Sequence, residues 1–484
     1  MSGYSIGVES RSGAIHSGFA ALRALTLAVL ATLPLLAAPA LAQQPLPPAP
    51  AEGGQTLSIE QVEQRWDTFT PKQQFIAIEQ LIGGGQFDVA GRLLARSSYP
   101  HTGDRAIQRF YVGMVARAQG RNDDAVAIFR EVLANNPEYT RVRLELANTL
   151  FAMKEDESAR HNFELVLGGA SANPGLQNAV RSYINAIEGR RKWDFTTFLT
   201  IAPSTNLNQG ANSQKIDING LPFQLADKNV KQSGVGVYGG FQAGYRHPLT
   251  GTLDLVVSGG AQVKRYKIDD FNDTLVNASV GPKWRFERGF IGLYGTMDHR
   301  WMADDDFSTS WGGVLSGGLS VTPADLVFAD AGCSQRRFEH NWQNTDLTYQ
   351  NGHMCFLSGR YDHFFDSATY VRLLGTLGQE RTGRKHLDND STSAGLGIYR
   401  ELPWGVTVYL QAQYTQTDFD GLYPGFPVSR SDDRFDISLN LTKRDFAIFG
   451  LAPQLQYTYT NNDSNIPIHV YDAHGLALTL TKRF

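Results

Sequence analysis

Cysteine is nearly missing: Cys333 and Cys355 are the two in 484 residues, too few for a disulfide scaffold or a zinc site. Long apolar runs are missing too. After Ala42 no stretch of 18 or more residues is continuously apolar, so a chain that enters a membrane here must do so as a barrel. Charge is sparse at 19% and nearly balanced, 44 Lys and Arg against 48 Asp and Glu. With no Lys/Arg stripe, the footprint of a nucleic-acid binder is lacking. Catalytic signatures are lacking as well: there is no Gly-x-Ser-x-Gly elbow, phosphate loop or His-Glu-x-x-His helix. His101, His161, His247, His363, His386, His469 and His474 are scattered without ligand spacing, so neither metal nor cofactor is expected.

What the chain does have is glycine, 48 residues, and aromatics at 11%, a balance that suits β structure. Its length predicts two domains. The segment from Arg23 through Leu25, Leu27, Val29 and Leu30 to Leu36, closed by Ala40-Leu41-Ala42 and Gln43, has the layout of a secretory signal peptide cut between Ala42 and Gln43. Residues 43–56, with Pro45, Pro47, Pro48 and Pro50, read as an extended linker.

From 57 to 192 the pattern is helical and repeats itself. Gly113 and Ala147 are 34 residues apart, as are Ala125 and Ala159, Phe129 and Phe163, and Leu133 and Leu167, with Pro137 and Pro174 closing the two units. That period, with a small residue in the first helix and Ala and Phe in the second, resembles the tetratricopeptide repeat. Phe87, Ala90 and Leu94 suggest an earlier, degraded unit, and Val180, Tyr183 and Ile187 a final helix. The first helix of each pair is expected to line a concave face with Ile107, Phe110, Met114 and Arg117, then Arg141, Leu144, Asn148 and Phe151. That face reads either as a groove for an extended segment of another protein or as a domain that packs on the barrel.

At Trp193 the period changes to two. Phe435, Ile437, Leu439 and Leu441 alternate with Arg434, Asp436, Ser438 and Asn440, one apolar and one polar face. Strands of about ten residues are expected over 193–484, the span of a tilted transmembrane strand. Short turns near Pro248, Arg288, Pro323, Phe365 and Pro403 alternate with long polar loops, among them Pro203–Val230, Ala303–Phe307, Glu339–Asp346 and Phe419–Ser431. The last strand carries Leu476, Leu478, Leu480 and Phe484 on one face, broken once by Lys482; an aromatic last residue is the mark by which the barrel assembly machinery takes up such chains. The fold expected is therefore an α-helical tetratricopeptide-like domain followed by an antiparallel outer-membrane β-barrel of about 14 strands. An even number places both barrel ends, and the repeats, in the periplasm. Cys333 and Cys355 fall on the seventh and eighth strands, either side of a loop around Trp342, roughly opposite each other, and read as one bridge or as two separate thiols.

This order of parts resembles the surface lipoprotein assembly modulator family, the outer-membrane translocons also described as type XI secretion. Local sequence agrees. Ala202-Pro203-Ser204-Thr205-Asn206-Leu207-Asn208 is similar to the family's Asn-rich segment, and Asp433-Arg434-Phe435-Asp436, Pro453, Tyr457, Tyr459, Ser464-Asn465 and the strand closing at Phe484 to its C-terminal block. The resemblance implies a translocon that helps particular lipoproteins, or soluble haem- or metal-capturing proteins, reach the surface, with the repeats receiving cargo and the barrel passing it. Lipid and lipopolysaccharide of the outer membrane would be its surroundings. A porin or substrate-specific channel is the main rival, and it needs no repeat domain. An enzyme is the second: Asp298, His299, Asp304, Asp305, Asp306, His340 and His353 offer His with Asp for acid–base chemistry, but the acidic run suits a solvated loop.

Overall fold

A computed structural model describes residues 58–169, 173–218, 221–340, 343, 345–443 and 452–481. Ala42, Gln43, the linker, Trp342, Lys482 and Phe484 lie outside them. The described chain forms two compact units, one of 58–133 and 141–154, the other of 134–140 and 155–481.

The first unit is helical: α1 (Ile59–Arg65), α2 (Pro71–Gly83), α3 (Phe87–Arg96), α4 (Thr102–Ala118), α5 (Asn122–Asn135) and α6 (Thr140–Ala152). Starts and stops follow local chemistry. Ser58 and Thr70 close capping boxes with Gln61 and Gln73, and Pro71 takes the first turn of α2, where its missing N–H costs nothing. Gly85 and Gly120 turn the chain with φ of +77° and +78°, a conformation only glycine enters freely. The 34-residue spacing has a packing cause. A Cβ on Gly113 would stand 2.6 Å from the Phe129 ring, so α4 must be bare there for α5 to seat Phe129, which is fully buried. Trp66, Ile78, Leu93, Leu94 and Tyr111 complete this core.

The second unit opens with α7 (Asp156–Gly169) and α8 (Pro174–Arg190), and strands begin at Trp193. The barrel consists of β1 (Trp193–Ser204), β4 (Gly234–Pro248), β5 (Leu253–Tyr266), β6 (Asp273–Phe286), β7 (Gly289–Met302), β8 (Asp305–Ser320), β9 (Asp325–Phe338), β10 (Gly352–Asp366), β11 (Thr369–Thr382), β12 (Asn389–Leu402), β13 (Val406–Leu422), β14 (Ser429–Lys443), β15 (Ala452–Ser464) and β16 (Tyr471–Thr481). A hairpin, β2 (Lys215–Ile218) and β3 (Leu221–Gln224), decorates the first long loop. All neighbours are antiparallel and β1 pairs with both β4 and β16, so fourteen strands close on themselves. The pleat then sorts side chains. Trp193, Phe195, Leu199 and Ile201 of β1 are more than half exposed on the outer surface, while Thr200 is buried and bonds Thr479 at 2.7 Å.

The strands run 11 to 17 residues, longer than the expected ten, because hairpins continue past the apolar band. One expected long loop is absent. Ala303 and Asp304 form a two-residue turn with φ of +53° and +64°, the geometry of a type I′ hairpin, and Asp305 and Asp306 already belong to β8. Nothing in an Ala-Asp dipeptide announces two positive φ values in a row. Cys333 and Cys355 are direct cross-strand partners on β9 and β10 and are disulfide-bonded, with Cα atoms 4.0 Å apart.

Elements of its own unit pack at both ends of this barrel. At the short-turn end α7 reaches the lumen wall: Leu165 packs with Phe364 and Tyr399 against Leu326, Tyr370 and Tyr409. Two glycines permit it. A Cβ on Gly168 would stand 2.5 Å from Phe364, and one on Gly169 would stand 2.9 Å from the Ser367 nitrogen. Phe163 and Tyr183 stack at 5.0 Å and Arg190 pairs with Asp156, so α7 and α8 form one piece. The carbonyl end of α8 meets a cation, since Arg246 donates to the carbonyls of Glu188 and Arg191 while bonding the fully buried Asp254 at 3.2 Å, a favourable site for positive charge. Arg285 reaches the same carboxylate at 2.7 Å.

At the long-loop end Leu347 and Phe307 bury against Met302, Phe338 and Tyr349. Tyr423 bonds His469 at 3.0 Å. Burial there, helped by the neighbouring Arg430 and opposed by Asp432, pushes the His469 imidazole down to about 3.

Two outcomes are expected. Gly168→Val should weaken docking of α7 by about 1–3 kcal/mol, the scale of overpacking, read as faster proteolysis of 155–190 with the barrel's heat-modifiable migration unchanged. His469 is neutral when folded and protonates near 6.5 when released, so its contribution to loop closure is complete above about 6.5 and is lost as pH falls towards 3. Single-channel conductance should therefore show more frequent opening on acidification over that window, and His469→Gln should flatten the response.

Candidate functional site

In the first unit, the face formed by α4 and α6 was expected to carry eight contact residues. Ile107, Met114, Leu144, Asn148 and Phe151 are half-buried on it. Phe110 is not available: it is 2% exposed, its ring 6.0 Å from Phe129 and 5.4 Å beneath the Arg141 guanidinium. Arg117 pairs with Glu145 and Arg141 with Glu79. Glu79 also accepts from the Tyr111 hydroxyl at 3.3 Å. Burial first, then the Glu79 charge, pushes that phenol up to about 12. Burial works against the Arg141 charge, yet Glu79 holds the guanidinium more firmly protonated than usual. These pairings stiffen the face. Glu79 and Glu145 were missed from sequence because they lie 62 and 28 residues from their partners. The Asn148 side-chain oxygen is buried without a hydrogen-bond partner among the described residues, which leaves one acceptor unsatisfied beside apolar side chains.

In the second unit the lumen holds a cavity of 750 Å³ towards the long-loop end. Its wall is charged, and most of its charges are paired. Asp273 meets Arg300 at 2.9 Å and Lys264 at 3.5 Å, Arg336 meets Glu380 at 3.9 Å, and Arg430 bonds Asp432 at 2.9 Å. Arg434 pairs with Asp436 at 2.8 Å. Alternating signs leave no strong field of either sign, so a hydrated polar segment of either charge meets little attraction and little repulsion.

The other motif residues lock loops. Asn206 is 1% exposed, donates to the carbonyls of Gly210 and Asp472 at 3.0 and 3.1 Å, and accepts from the Gly210 N–H. Asn208 donates to the Val230 carbonyl at 2.8 Å and accepts from Gln232. Together they fold the first long loop and tie it to the last across the junction of β1 and β16. Ser464 accepts from the Ile466 N–H, and Asn465 bridges to Ser429 and Ser431. Phe484 is beyond the described residues.

Of the candidate acid–base residues, His299 stands between the Thr309 hydroxyl at 2.8 Å and Asp306 at 3.1 Å, and His340 lies 3.2 Å from Asp346. The first group has the order of a nucleophile, base and acid. Thr309, however, lies in the ladder between His299 and Arg337, where no convergent pair of free N–H groups can hold an oxyanion. Asp298 and His353 sit on β7 and β10, apart from these pairs.

Family models match both parts of the chain: the surface lipoprotein assembly modifier model over 193–484 and its N-terminal repeat model over 84–163. The hemophilin secretion modulator of Acinetobacter baumannii is 22% identical over 79% of each chain. The surface lipoprotein assembly modifier of Pasteurella multocida is 21% identical over 79% of this chain and 77% of that one. Surface lipoprotein assembly modifier 1 of Neisseria meningitidis is 24% identical over 79% and 76%. Repeats, a fourteen-stranded outer-membrane barrel and these matches agree, and the chain belongs to the surface lipoprotein assembly modifier family.

Proposed function

We propose that this protein carries particular polypeptides, lipoproteins or soluble haem- or metal-capturing proteins, across the outer membrane to the cell surface. The short-turn end and the repeats face the periplasm, the long loops face outward, the face of α4 and α6 receives an extended segment of cargo, and the barrel passes it. The names of the relatives, one a modulator of hemophilin secretion and others modifiers of surface lipoprotein assembly, point to the cargo class. The observation that carries the reading is that elements of this chain pack at both mouths of the barrel. Its short-turn end is occupied by α7 through Leu165 and its long-loop end by packed loops. A diffusion channel has no use for two covers, whereas a conduit that must stay sealed between cargoes does. Passage then requires α7 and α8 to leave the mouth, breaking the contacts of Gly168, Gly169 and Arg246.

A lock tests this. Leu165 of α7 packs against Phe364 of β10, and neither position depends on a missing Cβ. With Cys333 and Cys355 replaced by Ser, Leu165→Cys and Phe364→Cys joined by a short reducible thiol cross-linker should abolish surface display of co-expressed cargo, and reduction should restore it. Full display by the cross-linked protein would show that the helices need not move. On the repeats, Met114→Glu with Leu144→Glu should lower cargo capture about tenfold, the scale of losing a buried contact centre, measured by pull-down with the full-length protein. Removing 57–192 should leave a heat-modifiable barrel that no longer exports.

A further inference from the structure

Alternation on β9 turns Asp325, Val327, Ala329, Ala331, Cys333, Gln335 and Arg337 outward. Only the first and last are charged. Twelve residues at about 3.4 Å each, on a strand tilted about 40°, project to roughly 31 Å along the barrel axis, the thickness of a hydrocarbon core. Arg337 therefore stands at headgroup depth on the long-loop side. Its guanidinium lies 4.9 Å from the centroid of the Trp311 ring, and Trp311 is 39% exposed on the outer surface. A guanidinium over an indole is held flat, with its N–H edge still free to donate.

Two other outward cations of this rim are already engaged. Arg265 pairs with Asp304 at 3.2 Å and Arg381 with Asp390 at 2.8 Å. Arg337 has no acidic partner among the described residues. The outward acid near it on β8, Asp306, is held by His299, whose other nitrogen meets Thr309, the cross-strand partner of Arg337. A planar cation held over an aromatic ring, with a hydroxyl and an imidazole beside it at headgroup depth, matches an oxyanion that accepts two parallel hydrogen bonds.

We propose that the outer face of β8 and β9 at Arg337 and Trp311 binds a phosphate group of a phosphorylated glycolipid in the outer leaflet. This rests on the reading that the long loops face the cell surface. A lipid bound there anchors the β7–β9 rim while the loops over the lumen move.

The test uses the full-length protein purified in detergent, with diphosphoryl lipid A as probe and binding read by native mass spectrometry. Arg337→Ala should bind it about fivefold more weakly, the scale of one cation at a membrane surface, and Arg337→Lys should fall between. Dephosphorylated lipid A should bind the native protein no better than diphosphoryl lipid A binds Arg337→Ala, and millimolar inorganic phosphate should not displace the lipid. Unchanged heat-modifiable migration shows that the variants fold. Equal binding by the native protein and Arg337→Ala, or by the two lipids, overturns the site; displacement by inorganic phosphate identifies a free-anion site instead. Orientation is read separately: Arg337→Cys should react with an impermeant maleimide on intact cells, and failure there removes the surface reading while the binding result stands.

Discussion

Every other feature of the barrel depends on one constraint: inside hydrocarbon a backbone N–H or C=O has no water to turn to, so a spanning sheet has to close. Here closure falls between β1 and β16, with Leu199, Thr200 and Ile201 registered against Leu480, Thr479 and Leu478 and Ser204 against Gly475 among the described residues. Pro203, which lacks an N–H, sits between the paired Ile201 and Ser204. The junction is reinforced from the loop side. Asn206 holds the Asp472 carbonyl, Thr205 donates to the His474 carbonyl, and Asn212 bonds Val470 and Asp472. The Asn-rich segment thus clasps the first long loop to the last across the β1–β16 junction.

Closure also divides the side chains into two solvents. Outward positions carry Leu, Ile, Phe and Trp; inward positions carry ions that are paired nearly wherever they occur. Asp254 with Arg246 and Arg285, and Asp362 with Arg372 at 2.7 Å, lie at the short-turn end, where breaking one partner would strand a buried charge. The same end receives α7. A helix sits there because Gly168 and Gly169 offer no side chain to the β10–β11 turn, with Leu165 its buried member in the cluster it enters.

Much of the fold was legible because it is local. The change of period at Trp193 and the 34-residue echo of Gly113 and Phe129 follow from spacing along the chain; spacing also put Cys333 and Cys355 on the seventh and eighth barrel strands but left open whether they bridge, which the structure resolves. What was not legible joins distant residues. Gly168 gives no sign in sequence that Phe364 will lie against it, nor Arg246 that it will meet the end of α8. Spacing put Phe110 on an accessible face, and the pairing of Arg141 with Glu79 above it made it interior. The site was therefore read as a row of side chains on two helices, whereas the structure shows a stiffened face with five accessible members and a barrel with elements packed at both of its ends. Compact units also do not follow the boundary between helix and strand, since α7 and α8 belong with the barrel.

The central claim is that the barrel passes specific polypeptides and admits little else. The most direct measurement is protease accessibility of candidate cargo on intact cells, with and without this chain co-expressed, alongside uptake of a small hydrophilic solute. The account predicts that one cargo becomes accessible only when the chain is present, while solute uptake hardly changes. A rise in uptake with no protein newly exposed would contradict it and mark the barrel as a channel.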